Sequence, residues 1–221
     1  MRIVIFANGV IADPAHEVAV WVRPADRVVA ANGGSRHALA AGVTPQLVIG
    51  DCDSLPEELM TTLQDTGVEF RRAAADKDET DLELALMWAA EQSDAEDIVV
   101  LGAFGGRPDQ ALANLLLLAH PLLEMSPCPV SMVDGAWKVV LIRGGTTLEL
   151  RGQAGDRVSL ISMGGDAEGV TTTGLAFPLD DEALTLGQSR GVSNRLEVEF
   201  ATIGLRKGLL WCFHEHQTLK N

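Results

Sequence analysis

Two aspartates separated by one cysteine are the first groups in this sequence that could bind a metal ion. The stretch LVIGDCDSL places Asp51 and Asp53 directly after a short apolar run, where we expect a buried strand to end. In an extended segment, side chains at i and i+2 point the same way, so both carboxylates should project together and Cys52 should face the core. Two such charges repel unless one is protonated or a cation lies between them. A solvated turn that caps the next helix is an equally good interpretation of these residues alone.

A second acidic cluster, DKDETD, favours the cation. It places Asp76, Asp78 and Asp81 in one loop before a helix, and Asp81 falls in the first helical turn. A charged surface loop is the better explanation of Asp76. Asp81 follows the fourth strand at the same sheet edge as Asp51 and Asp53, so the three carboxylates can meet. Hard carboxylate oxygens with open positions suit Mg²⁺, which keeps waters and bridges substrate phosphates.

A glycine-rich stretch, LGAFGGRPDQ, is the third candidate. It ends a strand with Gly102, Gly105 and Gly106 and places Arg107 and Asp109 before a helix. Glycines let the backbone approach a ligand, and a helix N-terminus attracts phosphate. Arg107 can clamp a phosphate through its planar guanidinium. The spacing matches neither the dinucleotide fingerprint nor the P-loop, so this stretch alone predicts only a structural turn.

The composition limits the classes of partner. The chain has 221 residues, of which 47% are hydrophobic, and its formal net charge is -14 at pH 7. This charge argues against nucleic-acid binding, which needs a basic patch to neutralise phosphates. An acidic protein can still bind a polyphosphate through a divalent cation, and its field favours a cationic substrate. Three cysteines without C-x-x-C spacing and a short N-terminal apolar run predict a cytoplasmic protein with free thiols and no membrane span.

Short apolar runs predict the elements that must position these groups. We expect buried strands at 3–7, 26–31, 46–49, 68–72 and 98–101. Helices should lie between them, opened by Ser54, by Thr80 and near Asp109, with Pro56 inside the first turn of the Ser54 helix. This alternation predicts an α/β domain over residues 1–126, doubly wound around a mainly parallel sheet.

The second half predicts a different architecture. Stretches in which apolar and polar residues partly alternate lie at 138–144, 146–152, 156–162, 195–201 and 208–214, and glycine-rich turns separate them. They indicate an all-β antiparallel sandwich or barrel over residues 130–221. Near its end, His214 and His216 share one face of a strand and could bind a transition metal. No third ligand is evident in the sequence, so a polar edge is the better interpretation of this pair.

Taken together, the motifs resemble those of the thiamine pyrophosphokinase family. The matching segments are NGGSRHAL…GVTPQLVIGDCDSL, DKDETDLELAL, LGAFGGRPDQALANL and TTTGLAFPL…GVSN, which extend from Ala31 to Asn194. The resemblance implies an α/β catalytic domain, and a β-sandwich that contributes to the thiamine site and to the interface of a homodimer. It also implies that Mg²⁺ assists a reaction in which ATP and thiamine give AMP and thiamine diphosphate.

The resemblance implies a role for each matching residue. The metal ligands would be Asp51, Asp53 and Asp81, which with Arg107 and Asp109 would form the catalytic set. The nucleotide-binding residues would be Asn8, Asn32, Gly33, Gly34, Lys77, Thr80, Gly106 and Arg107. The thiamine-binding residues would be Asp109, Gln110, Phe177, Ser193 and Asn194. Asp109 could accept the hydroxyl proton of thiamine or only bind its aminopyrimidine, and Asn8 could equally belong to a simple turn.

One departure from the family pattern bears on function. The family commonly has Asp-Gly-Gly where this chain has Asn32, Gly33 and Gly34, so one carboxylate is replaced by an amide that still forms hydrogen bonds. This change bears on nucleotide affinity or preference more than on reaction type. Two alternatives remain at this point: a pterin-type pyrophosphokinase on the same catalytic domain, and a non-catalytic nucleotide-binding sensor.

Overall fold

The chain divides into an α/β unit and a β-rich unit, as predicted in outline. The computed structural model describes residues 1–53, 55–126 and 128–217. The two units are Met1–Asp134 and Gly135–Asn221. The doubly wound and sandwich descriptions are finer than this division and stay predictions.

Strands and helices alternate along the first unit. Its strands are β1 (Arg2–Phe6), β2 (Arg27–Ala31), β3 (Leu47–Gly50), β4 (Glu69–Arg72), β5 (Asp97–Leu101) and β6 (Val130–Asp134). Its helices are α1 (Pro14–Trp21), α2 (Gly34–Ala40), α3 (Glu57–Asp65), α4 (Asp81–Ala90), α5 (Pro108–Leu117) and α6 (Pro121–Met125). The strands lie in the order β4-β3-β2-β1-β5-β6, and every pair is parallel.

The strand order creates a place for a ligand. β1 pairs with β2 on one side and with β5 on the other. The loops that follow β1 and β5 therefore diverge at the carboxyl edge, and α/β sheets bind ligands in the crevice that such a divergence leaves. In β1, residues 3–6 are consecutive and fully buried, so both faces of this strand are covered and the sheet is a rigid support.

The division between the units lies later than the predicted boundary. Residues 130–134 were expected to open the second domain, but they form β6 and pair in parallel with β5. The short apolar run VSMVD would suit either kind of sheet, so its sequence does not reveal its partner. Its pairing with Ile98–Leu101 places it in the first unit.

Local sequence signals fixed some helix ends and missed others. Thr80 caps α4 as predicted, since its Oγ1 accepts a hydrogen bond from the Glu83 N–H at 3.1 Å. Ser54 lies outside the described residues, and α3 begins at Glu57 with Pro56 as its capping residue. Pro56 is therefore outside the first turn, contrary to the prediction. Gly67 follows α3 with a φ of +77°, the left-handed conformation expected at a helix end.

The second unit is built from antiparallel strands. They are β7 (Trp137–Arg143), β8 (Thr146–Arg151), β9 (Arg157–Thr173), β10 (Glu182–Leu184), β11 (Asn194–Arg195), β12 (Phe200–Leu205) and β13 (Lys207–Glu215). Their order is β7-β13-β9-β12-β8, with β10 and β11 paired to β9. The strand predicted at 195–201 is wrong, because β11 ends at Arg195 and bends precede β12. Buried side chains such as Val158, Ile203 and Leu210 form the core.

Cys52, Cys128 and Cys212 are free and buried, as the sequence predicted. Within the residues that the structure describes, no helix has both the length and the apolar character needed to cross a lipid bilayer.

Candidate active site

A cleft of about 500 Å³ opens at the carboxyl edge of the parallel sheet in the first unit. Its walls come from residues 7–10 after β1, 31–33 at the end of β2, 103 and 105–107 after β5, and 75, 77 and 79–82 leading into α4. This volume is typical of small-molecule sites, and the position is the one that the strand order predicts.

Many of the residues assigned from the sequence line this cleft. They are Asn8, Asn32, Gly33, Lys77, Thr80, Asp81, Gly106, Arg107 and Gln110. Gly34, Asp51, Asp53 and Asp109 are not among its lining residues. Gly34 and Asp109 are adjacent in sequence to residues that line it, and Asp51 is hydrogen bonded to the lining residue Asn32, whereas Asp53 is hydrogen bonded to Asp51. Asn114 lines the cleft and was missed. Its buried side chain donates a hydrogen bond to the Ala103 carbonyl at 2.7 Å, and a lone polar residue in the apolar run ALANLLLL was the available signal.

Asp51 and Asp81 meet across the side-chain amide of Asn32. The Asn32 Nδ2 donates hydrogen bonds to Asp51 Oδ1 at 2.9 Å and to Asp81 Oδ2 at 3.0 Å. Lys77 Nζ lies 2.8 Å from Asp81 Oδ1, and this hydrogen bond raises the pKa of Lys77, which stays charged. The Asn32 Oδ1 atom is buried and has no hydrogen-bond partner among the described residues. An acceptor with an open lone pair thus lies beside two carboxylates.

Gly50 permits this close approach. Its φ is +149°, a conformation that side chains rarely adopt. A Cβ at this position would lie 2.8 Å from the Asn32 Cβ and 2.9 Å from Asp81 Oδ1. A larger residue at the end of β3 would therefore push the carboxylate of Asp81 away from its partners.

Asp51 and Asp53 do not share an extended segment, contrary to the geometry expected of them. β3 ends at Gly50, and Cys52 has a φ of +62°, so the backbone turns between the aspartates. Asp53 is exposed, and its backbone N–H donates a hydrogen bond to Asp51 Oδ1 at 3.1 Å. Cys52 packs in the core as predicted. Burial is the main cause that raises the pKa of its thiol, and the neighbouring Asp51 adds to it.

Arg107 and Asp109 form an exposed ion pair at the start of α5. Arg107 Nε donates to Asp109 Oδ1 at 3.1 Å, and its Nη2 donates to Oδ2. These hydrogen bonds lower the pKa of Asp109 and raise that of Arg107. A carboxylate with a lowered pKa is a weaker base, so the geometry favours binding over proton abstraction for Asp109.

The remaining predicted residues lie in the second unit. Phe177 is 61% exposed, and the guanidinium of Arg195 lies 5.6 Å from its ring centroid. Asn194 is buried, and its amide is engaged by the Phe177 backbone, with Oδ1 accepting at 3.1 Å and Nδ2 donating at 2.7 Å. Ser193 has a φ of +63°, and its N–H donates to Ser159 Oγ at 3.0 Å. Asn194 therefore fixes the backbone that presents the exposed ring.

The first unit is a parallel α/β sheet with a cleft at its carboxyl edge. Paired carboxylates lie beside this cleft, and the positively charged side chains of Lys77 and Arg107 line it. This combination is typical of enzymes that transfer phosphate groups, a class to which many kinases belong. Comparison with known families identifies which of these enzymes the chain is related to. Residues 19–130 match the catalytic domain of thiamin pyrophosphokinase, and residues 146–210 match its vitamin B1 binding domain. The chain belongs to the thiamin pyrophosphokinase family.

Individual relatives agree with this assignment. A thiamine pyrophosphokinase of Bacillus subtilis is 29% identical over 177 residues, which are 80% of this chain and 81% of that protein. The crystal structure of thiamine pyrophosphokinase from the same organism superposes with a TM-score of 0.86 at 25% identity, covering 98% of this chain and 100% of that one. The enzyme from Geobacillus thermodenitrificans gives a TM-score of 0.83 at 28% identity, covering 99% of each chain.

Proposed function

We propose that the cleft of the first unit binds ATP with Mg²⁺, and that its residues position the triphosphate for attack by the hydroxyl of thiamine on the β-phosphorus. The chain catalyses ATP-dependent transfer of diphosphate to thiamine, as its family membership and relatives indicate. The observation that supports the site most strongly is the Asp51–Asn32–Asp81 contact at the edge of the cleft.

The side chains at this edge fit Mg²⁺. Asp51 and Asp81 supply hard carboxylate oxygens, and Asn32 adds a buried carbonyl oxygen that lacks a partner among the described residues. These residues would hold the ion, with Asp53 as a further carboxylate on the same loop. When bound, Mg²⁺ would neutralise charge that develops on the phosphates during transfer.

The rest of the cleft would supply positioning and charge. Lys77 lines it as a charged ammonium, and Arg107 lines it as a guanidinium, so both can bind phosphate oxygens. Gly105 and Gly106, with φ values of +80° and +70°, leave the backbone between β5 and α5 open to a ligand. Diphosphate transfer depends mostly on such positioning and neutralisation, because little covalent chemistry is left for the protein.

We propose thiamine-binding residues in each unit separately, each on the ground of its own chemistry. Phe177 offers an exposed aromatic face on which the pyrimidine can stack, and Asn194 holds its backbone in place. Asp109 stays ionised and can bind the aminopyrimidine, with Gln110 beside it. The acidic charge of the chain suits a thiazolium cation. We further propose a cytoplasmic homodimer, consistent with exposed apolar side chains such as Leu112.

The two alternatives differ in what they predict. A pterin acceptor is not favoured, because residues 146–210 match the vitamin B1 binding domain. A nucleotide sensor would bind ATP and release no AMP. Incubating purified protein with Mg-ATP and thiamine, followed by oxidation to the fluorescent thiochrome, tests the proposal. We expect thiamine diphosphate and AMP in equal amounts, whereas ATP binding without either product would support the sensor.

A further inference from the structure

The second unit gathers Asp156, His214 and His216 into one cluster. A ligand atom of each residue lies within 4.8 Å of those of the other two. Asp156 immediately precedes β9, His214 lies in β13 and His216 immediately follows it, and Glu215 is paired with Arg157 across the antiparallel ladder. This register supplies the third ligand that the sequence did not reveal. The pair is therefore not a simple polar edge, contrary to the interpretation from sequence.

The cluster is largely buried. Asp156 is 1% exposed and His214 is 4% exposed. The N–H groups of Gln153 and Gln217 each donate a hydrogen bond to the Asp156 carboxylate at 2.9 Å, and His214 Nε2 lies 3.2 Å from it. The ring centroids of His214 and His216 lie 3.9 Å apart, so a carboxylate and two imidazoles share one small region of the second unit.

Gly152 lies directly against these groups, which leave no room for a side chain at this position. A Cβ at this position would overlap Asp156 Oδ2 and would lie 2.9 Å from His214 Nε2. The backbone of Gly152 is fixed there by a hydrogen bond from its N–H to the Glu199 carbonyl at 3.0 Å. Any side chain here would displace the carboxylate and the imidazole from each other.

We propose that Asp156, His214 and His216 form a binding site for a divalent transition-metal ion of the Zn²⁺ type. Two imidazoles and a carboxylate are donors that Zn²⁺ accepts, and three protein ligands leave a position for water. Tetrahedral Zn²⁺ holds its ligand atoms about 3.3 Å apart. His214 Nε2 and Asp156 Oδ2 are already 3.2 Å apart, and the half-buried His216 needs to move by no more than about 1.5 Å. The ion would tie the start of β9 to the end of β13.

Zinc titration of the full-length protein tests this site. The protein is stripped with a chelator and kept in excess Mg²⁺, so that the oxygen ligands of the cleft are occupied, and Zn²⁺ binding is measured by calorimetry. His216→Gln removes the most accessible ligand, and Asp156→Asn removes a second if that variant folds. His16→Gln, which changes a half-buried histidine on α1, and Asp51→Asn, which changes the cleft, are the matched controls. Co²⁺ provides an absorption spectrum that reports tetrahedral coordination.

We expect one Zn²⁺ per wild-type chain, affinity lower by more than about tenfold in His216→Gln, and unchanged affinity in both controls. Saturating Zn²⁺ should also raise the melting temperature of the wild type by at least about 3 °C, and that of His216→Gln by less. Absence of binding to the wild type would overturn the proposal. Equal affinity in His216→Gln, or loss of binding in Asp51→Asn, would overturn it as well.

Discussion

The Nδ2 atom of Asn32 donates a hydrogen bond to Asp81 Oδ2 over 3.0 Å. The same nitrogen donates to Asp51 over 2.9 Å, and an amide group has two protons, so both bonds can form at once. The amide thus draws two like charges together at the edge of the cleft without a cation. An aspartate, which the family commonly has at this position, would instead be a third acceptor.

Replacing Asn32 by Asp should make the first unit depend on Mg²⁺ for stability. Asn32→Asp exchanges two hydrogen bonds for repulsion among three carboxylates, which a divalent cation relieves. In chelator we expect a melting temperature lower by about 3 to 8 °C, restored by Mg²⁺. Asn32→Ala removes the hydrogen bonds without adding a charge. Its loss in melting temperature should therefore not be restored by Mg²⁺. An Asn32→Asp protein as stable as the wild type in chelator would contradict the inference that the Asn32 amide holds Asp51 and Asp81 together.

Asp81 should be essential for turnover, and Asp76 should not. Asp81→Asn removes the carboxylate that contacts both Lys77 and Asn32, so we expect kcat/KM to fall by at least about 100-fold. Asp76→Asn changes an exposed carboxylate in the same loop and should leave activity within about twofold. Steady-state kinetics with Mg-ATP and thiamine provide the comparison. Equal activity in the two variants would remove Asp81 from the site.

Gly50→Ala should damage the site and the fold together. The added methyl group meets Asn32 and Asp81 in a conformation that alanine avoids, so we expect a loss of about 2 kcal/mol or more in unfolding free energy and little activity. Gly67→Ala is the control, because Gly67 also has a positive φ but has open space around its Cβ position. It should cost about 1 kcal/mol and leave kcat/KM unchanged. Similar activity losses in both variants would show that crowding at Asp81 is not the cause.

The pH profile distinguishes the two roles of Asp109. Because Arg107 lowers the pKa of Asp109, this carboxylate stays ionised from about pH 5 to 9 and should not produce the acidic limb of kcat/KM. Asp109→Asn should raise KM for thiamine by about tenfold and leave the shape of the profile unchanged. In Arg107→Gln, the pKa of Asp109 should rise toward its ordinary value, measurable by NMR titration. An acidic limb that disappears in Asp109→Asn would identify it as the base.

Sequence reasoning found features that local signals specify. Short apolar runs gave β1, β2, β3 and β5 to within a residue or two, and the hydroxyl of Thr80 gave the start of α4. β4 was also located, but it is a largely exposed edge strand and not buried as predicted. The cleft followed from the same strands, because the ends of parallel strands share one edge. The backbone turn at Cys52 was not predictable, since its left-handed φ is unusual for a residue other than glycine.

Features that depend on pairing between segments distant in the sequence could not be predicted. Asp156 and His214 are 58 positions apart and meet only through the register of β9 with β13. The pairing of β6 with β5 is likewise invisible in the run VSMVD. The amide of Asn194 was assigned to thiamine from its motif, whereas the structure shows its hydrogen bonds to the Phe177 backbone, a contact that no local pattern specifies.

The destination of the β-phosphate of ATP shows whether the protein transfers a diphosphate group to thiamine. Wild-type protein is incubated with thiamine, Mg²⁺ and ATP labelled at the β-phosphorus, and the products are separated. We expect the label to appear in thiamine diphosphate, the AMP to be unlabelled, and Asp81→Asn to abolish the transfer. Label that stays with the nucleotide as ADP while thiamine monophosphate forms would contradict it.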